Sequence, residues 1–95
     1  MSRTVAVLGA AAARRALAGA DGFDGFDEIV VLEPSVDALE ELMHELRDPR
    51  LDYVLGSLPV LPLPDASVDL LVGADPGHDE VRRVLRRDGA ARPPG

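Results

Sequence analysis

The chain has 95 residues, a net charge of −7, ten arginines, no lysine and no cysteine. That length allows one small domain, which buries only about 60–65 % of its unfolded surface. The acidic balance argues against a phosphate-backbone binder, and the lack of cysteine excludes disulfides, thiolate chemistry and cysteine-ligated zinc. With 46 % apolar and 28 % charged residues the composition is that of a globular chain. No apolar run approaches the length of a membrane span, and the N-terminus lacks the build of a secretory leader, so a cytoplasmic protein is expected, with neither membrane nor nucleic acid as partner.

In chain order, Val5 to Leu8 is a short apolar run ending at Gly9, the pattern of a buried strand and a turn. Ala10 to Ala18 is rich in the best helix former and ends at Gly19. A Gly/Asp loop follows, with Asp21, Asp24 and Asp27 at every third residue. Calcium loops use alternate positions, so Phe23 and Phe26 are expected instead to pin this loop to the core. Ile29 to Leu32 is a second strand, apolar on consecutive residues as when both sheet faces are covered. Ser35 is a good N-cap for a helix carrying Val36, Leu39, Leu42, Met43 and Leu46 on one stripe, which Asp48 and Pro49 stop. Leu51 to Leu55 is a third strand. The stretch from Gly56 to Asp65 holds three prolines and reads as irregular. Val68 to Val72 is a fourth strand, Asp79 to Arg87 a basic helix, and residues 92–95 a frayed tail after a single unit over 1–91.

This order predicts an α/β, half Rossmann-like, three-layer domain with a four-stranded parallel sheet of order 3-2-1-4 and three helices. A strand, turn and helix followed by an acid at the end of the second strand, Glu33, is the pattern of a nucleotide-binding half. Glu33 is read either as a ribose ligand or as a solvated acid at a strand end. Gly9 serves either a ligand or a plain strand-to-helix turn. A lone His78 near Asp75, Asp79 and Glu80 is poor support for a metal or a general base. Arg82, Arg83, Arg86 and Arg87 are read as a solvated helix face or a docking surface for an acidic partner.

Four segments together resemble the class I S-adenosylmethionine-dependent methyltransferases. Val5-Ala-Val-Leu-Gly9 stands where that family has its first strand and glycine-rich loop. Val30-Val-Leu-Glu33-Pro-Ser35 is similar to the second strand with its ribose-binding acid. The stretch from Gly56 to Gly73, Gly-Ser-Leu-Pro-Val-Leu-Pro-Leu-Pro-Asp-Ala-Ser-Val-Asp-Leu-Leu-Val-Gly, is similar to the family's segment through its fourth strand. Glu80-Val-Arg-Arg-Val-Leu-Arg-Arg-Asp-Gly89 resembles the segment before the fifth strand. The resemblance implies S-adenosylmethionine as cofactor, held by Gly9, Ala10, Glu33, Pro34, Ser57, Leu58 and Gly73, with no catalytic side chain and no metal.

The departures from that family also carry expectations. The glycine loop reads Gly9-Ala-Ala-Ala-Ala13, whose methyl groups are expected to obstruct the cofactor. The acid that contacts adenine falls at Ser57, and the chain ends where the fifth strand is expected. The leading expectation is a truncated, non-catalytic half-domain, a pseudoenzyme acting by association as a homodimer or accessory subunit. The bare edge of the strand from Val68 to Val72 is expected to pair with a second copy, a partner protein or another element of this chain. The alternative is a cofactor-binding methyltransferase whose other half comes from a second chain. In-line methyl transfer needs mainly proximity and orientation, so the absence of a catalytic motif does not exclude it.

Overall fold

A computed structural model describes residues 3–18, 23, 25–46, 48–56, 60–73 and 78–92. The first strand, β1 (Thr4–Leu8), is buried along its whole length. It lies at the centre of the sheet, and a strand covered on both faces and paired on both edges must be continuously apolar. Helix α1 (Ala10–Leu17) returns over it, then β2 (Glu28–Glu33), α2 (Val36–Glu45), β3 (Leu51–Leu55), β4 (Val68–Gly73), α3 (His78–Val84) and β5 (Leu85–Arg92) complete the order. All four pairings are parallel, and the sheet runs β3-β2-β1-β4-β5.

Alternation along the strands divides the core. Val5, Val7, Ile29, Val31 and Val72 meet Ala10, Ala12 and Ala13 of α1 and Leu42 of α2 on one face. Ala6, Leu8, Val30, Leu32, Val68 and Leu71 meet Val84 of α3 and Leu61 of the loop before β4 on the other. The domain therefore has the expected three layers. Phe23 is buried in the first core and Phe26 packs against it, their rings edge-on with centroids 6.1 Å apart. Arg50 closes this loop, its Nη1 donating to the carbonyls of Phe23 and Phe26 at 2.9 and 3.2 Å while Asp48 holds its other nitrogens. Asp21 and Asp24 lie outside the described residues.

Ser35 caps α2 as expected, its Oγ accepting the Ala38 amide at 3.2 Å. Ser35→Ala leaves that amide without its partner and is expected to cost about 1 kcal/mol of stability. Urea unfolding of the pair checks this, and coincident midpoints would show that the cap contributes nothing.

Two expectations need correction. The sheet has five strands, not four, and the helix expected from Asp79 to Arg87 ends at Val84, where β5 begins. Of the three occupants expected at the edge of β4, the structure shows another element of this chain, β5. Leu85 lies opposite Val68, but Ala90 lies opposite Leu70, so β5 holds extra residues against β4. The intervening Arg-Arg-Asp-Gly carries no apolar side chain, which hides the strand from any reading of hydrophobic period. Arg92, expected in a frayed tail, is the last residue of β5, opposite Val72; residues 93–95 lie outside the described residues. No helix among the described residues is long and apolar enough to cross a membrane.

Candidate functional site

The chain runs outward from β1 in both directions across the sheet, so the carboxyl ends of β1, β2 and β4 surround the point where strand order reverses. In open parallel sheets, ligands bind in the crevice at that point. The ladder continues one residue beyond each strand: the Gly9 amide donates to Leu32 O at 2.7 Å, and the Gly56 amide to Glu33 O at 3.3 Å. These bonds bring Gly9, Glu33 and Gly56 side by side at the top of the sheet.

Glu33 is half-buried, and its carboxylate is held at both oxygens. The Ala10 amide donates to Oε1 at 3.0 Å and the Ser35 amide to Oε2 at 2.8 Å. Helix α1 has no side-chain cap of its own and no acid in its first turn, so Glu33 reaches across from β2 to satisfy its first amide. A carboxylate has about four acceptor positions. Two are used here, leaving one on each oxygen in a fixed orientation. Such a pair can accept two neighbouring hydroxyls, as in the 2′,3′-diol of a ribose.

Gly9 has φ 101° and its missing Cβ faces open space, with no atom within 4 Å. The backbone is thus accessible from the crevice at this turn. Ala11 is exposed, whereas Ala10, Ala12 and Ala13 are buried in the core between α1 and the sheet. Their methyl groups serve helix packing. Gly73, by contrast, is demanded by the sheet. It has φ 123°, and a Cβ there would stand 2.6 Å from Leu8 O. Pro34 is exposed beside Glu33, and Ser57 and Leu58 lie outside the described residues. Of the expected site residues, the structure therefore gathers Gly9, Ala10, Glu33 and Pro34 at one crevice, with Gly73 beside Leu8 as a backbone requirement.

Sequence reasoning missed the apolar rim and the loop clamp. Large apolar side chains are exposed at Val36, Leu55 and Val60, by 52, 54 and 69 % respectively. Leu55 is the register partner of Glu33, and Val36 opens the helix just after it, so an apolar surface borders the carboxylate. The clamp secures the proline-rich segment. Arg83 donates to the carbonyls of Leu61 and Leu63 at 2.7 and 2.8 Å and to Asp65 at 2.8 Å. It also grips Glu80 at 2.9 Å, and Glu80 accepts the Leu61 amide at 2.8 Å. The hydrogen bond from Arg83, then that from the Leu61 amide, holds the Glu80 carboxyl down at about 2. Arg86 is likewise turned inward, to Asp69 at 3.1 Å, and Asp69 also accepts the Thr4 amide. The expected basic patch is thus largely internal wiring, with Arg82 and Arg87 remaining exposed.

No protein-family model and no curated protein matches the sequence. Solved structures do. A chain from the complex between the Haloferax volcanii Trm112 methyltransferase activator and a protein designated a methyltransferase is 26 % identical, with a TM-score of 0.74 over 93 % of this chain. The YcgJ protein from Bacillus subtilis is 25 % identical, with a TM-score of 0.70 over 93 % of this chain. A SAM-dependent methyltransferase from Aquifex aeolicus is 17 % identical, with a TM-score of 0.67 over 88 %. The match takes in only 42, 42 and 51 % of those three chains. This chain has the Rossmann-like fold of the SAM-dependent methyltransferases, over about half or less of their length.

Proposed function

We propose that this chain binds S-adenosylmethionine and forms the cofactor-binding half of a methyltransferase. The observation that carries the reading is the Glu33 carboxylate, fixed by the Ala10 and Ser35 amides with one acceptor position free on each oxygen. An acceptor pair oriented before the ligand arrives binds without the entropy cost of ordering it. Gly9 allows close approach to the backbone, and Val36 and Leu55 supply apolar contact beside Glu33. The cofactor, when bound, supplies an electrophilic methyl group. The residues of this chain bind and orient it, and the methyl acceptor comes from elsewhere.

Titration calorimetry with S-adenosylhomocysteine tests the reading. A Kd of about 100 μM or tighter is expected, weakened at least about tenfold in Glu33→Ala. No heat with the wild-type chain would overturn it.

A second reading, non-catalytic association with a protein partner or a second copy, is supported by different observations. The outer edges of β3 and β5 have no strand beside them among the described residues. The Haloferax relative was solved with an activator protein. Edge strands recruit further strands. Light scattering decides the self-association form, since a monomer across the working concentration range would exclude a homodimer.

A further inference from the structure

Resting on the association reading, we propose that the partner is a second copy of this chain, joined about a two-fold axis through the outer edge of β3 and the flank of α2 beside it. At about 100° per residue, α2 turns Ala38, Leu42 and Leu46 to the core. Glu41 and Glu45 then lie on the flank toward α1, where Arg14 meets both. Val36, Leu39 and Met43 share the opposite flank, which faces away from α1 and over the free edge of β3. Met43 is 51 % exposed, much as Val36 is, and Leu39 is half-buried without joining either core. Leu55 of β3 is exposed beside them. The other edge offers no such surface, because the exposed side chains of β5 are Arg87, Asp88, Ala90, Ala91 and Arg92.

Geometry selects the occupant. An unpaired edge takes another strand, but a lone extended peptide would reach only β3 and leave the helix flank in water. A second copy covers both. In an antiparallel register centred on Tyr53, Leu51 stands opposite the second copy's Leu55, and Asp52 opposite its Val54, so no like charges face each other. Helix α2 lies across β2 and β3, so joining the two β3 edges sets the two α2 axes two strand spacings of about 4.8 Å apart. That is about 10 Å, the separation of packed helices. The two helices run antiparallel there, with Val36 against the second copy's Met43 at each end, while Asp37 and Glu40 stay on the solvent side. Each copy thereby adds Met43 and Leu51 to the apolar rim of the other's crevice. Such an interface presents the same patch twice and closes at two copies.

Sedimentation of the chain from about 5 to about 500 μM is expected to show a monomer–dimer equilibrium, with a Kd on the order of 10 μM for an interface this small. Met43→Glu, at an exposed position outside both cores, is expected to weaken the dimer at least about tenfold. Arg87→Glu on β5 is expected to leave it unchanged. The chain has no cysteine, so introduced thiols report the orientation. Val36→Cys mixed with Met43→Cys is expected to oxidise to a cross-linked dimer faster than either variant alone. A dimer that Met43→Glu does not weaken, or equal cross-linking in all three samples, overturns the inference while leaving association through another surface intact. Species that keep growing beyond a dimer would mean that copies stack β3 against β5, and overturn it as well. A monomer throughout the range sinks the inference together with the homodimer reading.

Discussion

Gly73→Ala is expected to cost about 3 kcal/mol or more, a large fraction of the stability of a domain this size. Two effects add at this position. A φ of 123° is a conformation that L side chains rarely adopt, and the new methyl group would meet Leu8 O at 2.6 Å and Leu8 N at 3.1 Å. Both colliding atoms are backbone of the central strand, which cannot yield without breaking its ladder. Gly9→Ala is the control: φ is 101° but nothing lies within 4 Å, so strain alone remains, about 1 kcal/mol. Urea midpoints of the two variants measure the difference. Equal losses would mean that Gly73 and Leu8 are not in contact as described.

Arg83→Ala is expected to release the segment between β3 and β4 and to flatten the acid limb of stability. One guanidinium serves Leu61 O, Leu63 O, Asp65 and Glu80, so its removal leaves two carbonyls and two carboxylates short of a donor. Proteolysis should then cut the chain near residues 61–65, where the wild-type chain resists. The sign of the pH effect follows from Glu80. Its folded carboxyl is held at about 2, below the ordinary 4.5, chiefly by the Arg83 side chain. A depressed acid contributes stability that is fully present above its unfolded value and is lost as pH falls through the folded one. Wild-type stability therefore declines from about pH 4.5 toward pH 2, and Arg83→Ala declines less. Asp48, held at about 2 by Arg50, titrates in the same window and keeps part of the slope in both proteins. Parallel urea-midpoint profiles of the two proteins against pH would refute the role given to Arg83.

Most of the sheet was legible because its inner strands are short apolar runs, broken only by Asp69 in β4. Val5 to Leu8, Ile29 to Leu32 and Val68 to Val72 could hardly be anything but covered strands, and the helices between them dictate parallel pairing. The last strand was not legible. Leu85 and the valines before it continue a helical stripe, and only pairing with Val68, far away in sequence, turns Leu85 into a strand residue. At the site, the position of Glu33 after a strand and before a helix marked it as a candidate. What local pattern cannot reveal is its commitment to the Ala10 amide, 23 residues earlier, which depends on the pairing of β1 with β2. The same holds for the arginines near the end of the chain. Their spacing described a charged helix face, whereas Arg83, besides Glu80 on its own helix, and Arg86 reach partners 17 to 22 residues away.

Because β1 occupies the middle of the sheet, the order in which the chain can assemble is constrained. Once residue 55 has been made, β1, β2 and β3 can pair and α1 and α2 can close one face. The other edge of β1 must wait for β4, whose Asp69 takes the Thr4 amide across 65 residues. During synthesis that interval leaves an apolar strand with a free edge and the opposite face, Ala6, Leu8, Val30 and Leu32, uncovered. Long loop closure is slow relative to local pairing, and exposed edges are where nascent chains associate wrongly. The nascent chain is therefore most vulnerable before residues 68–73 emerge, a kinetic exposure that follows from strand order alone.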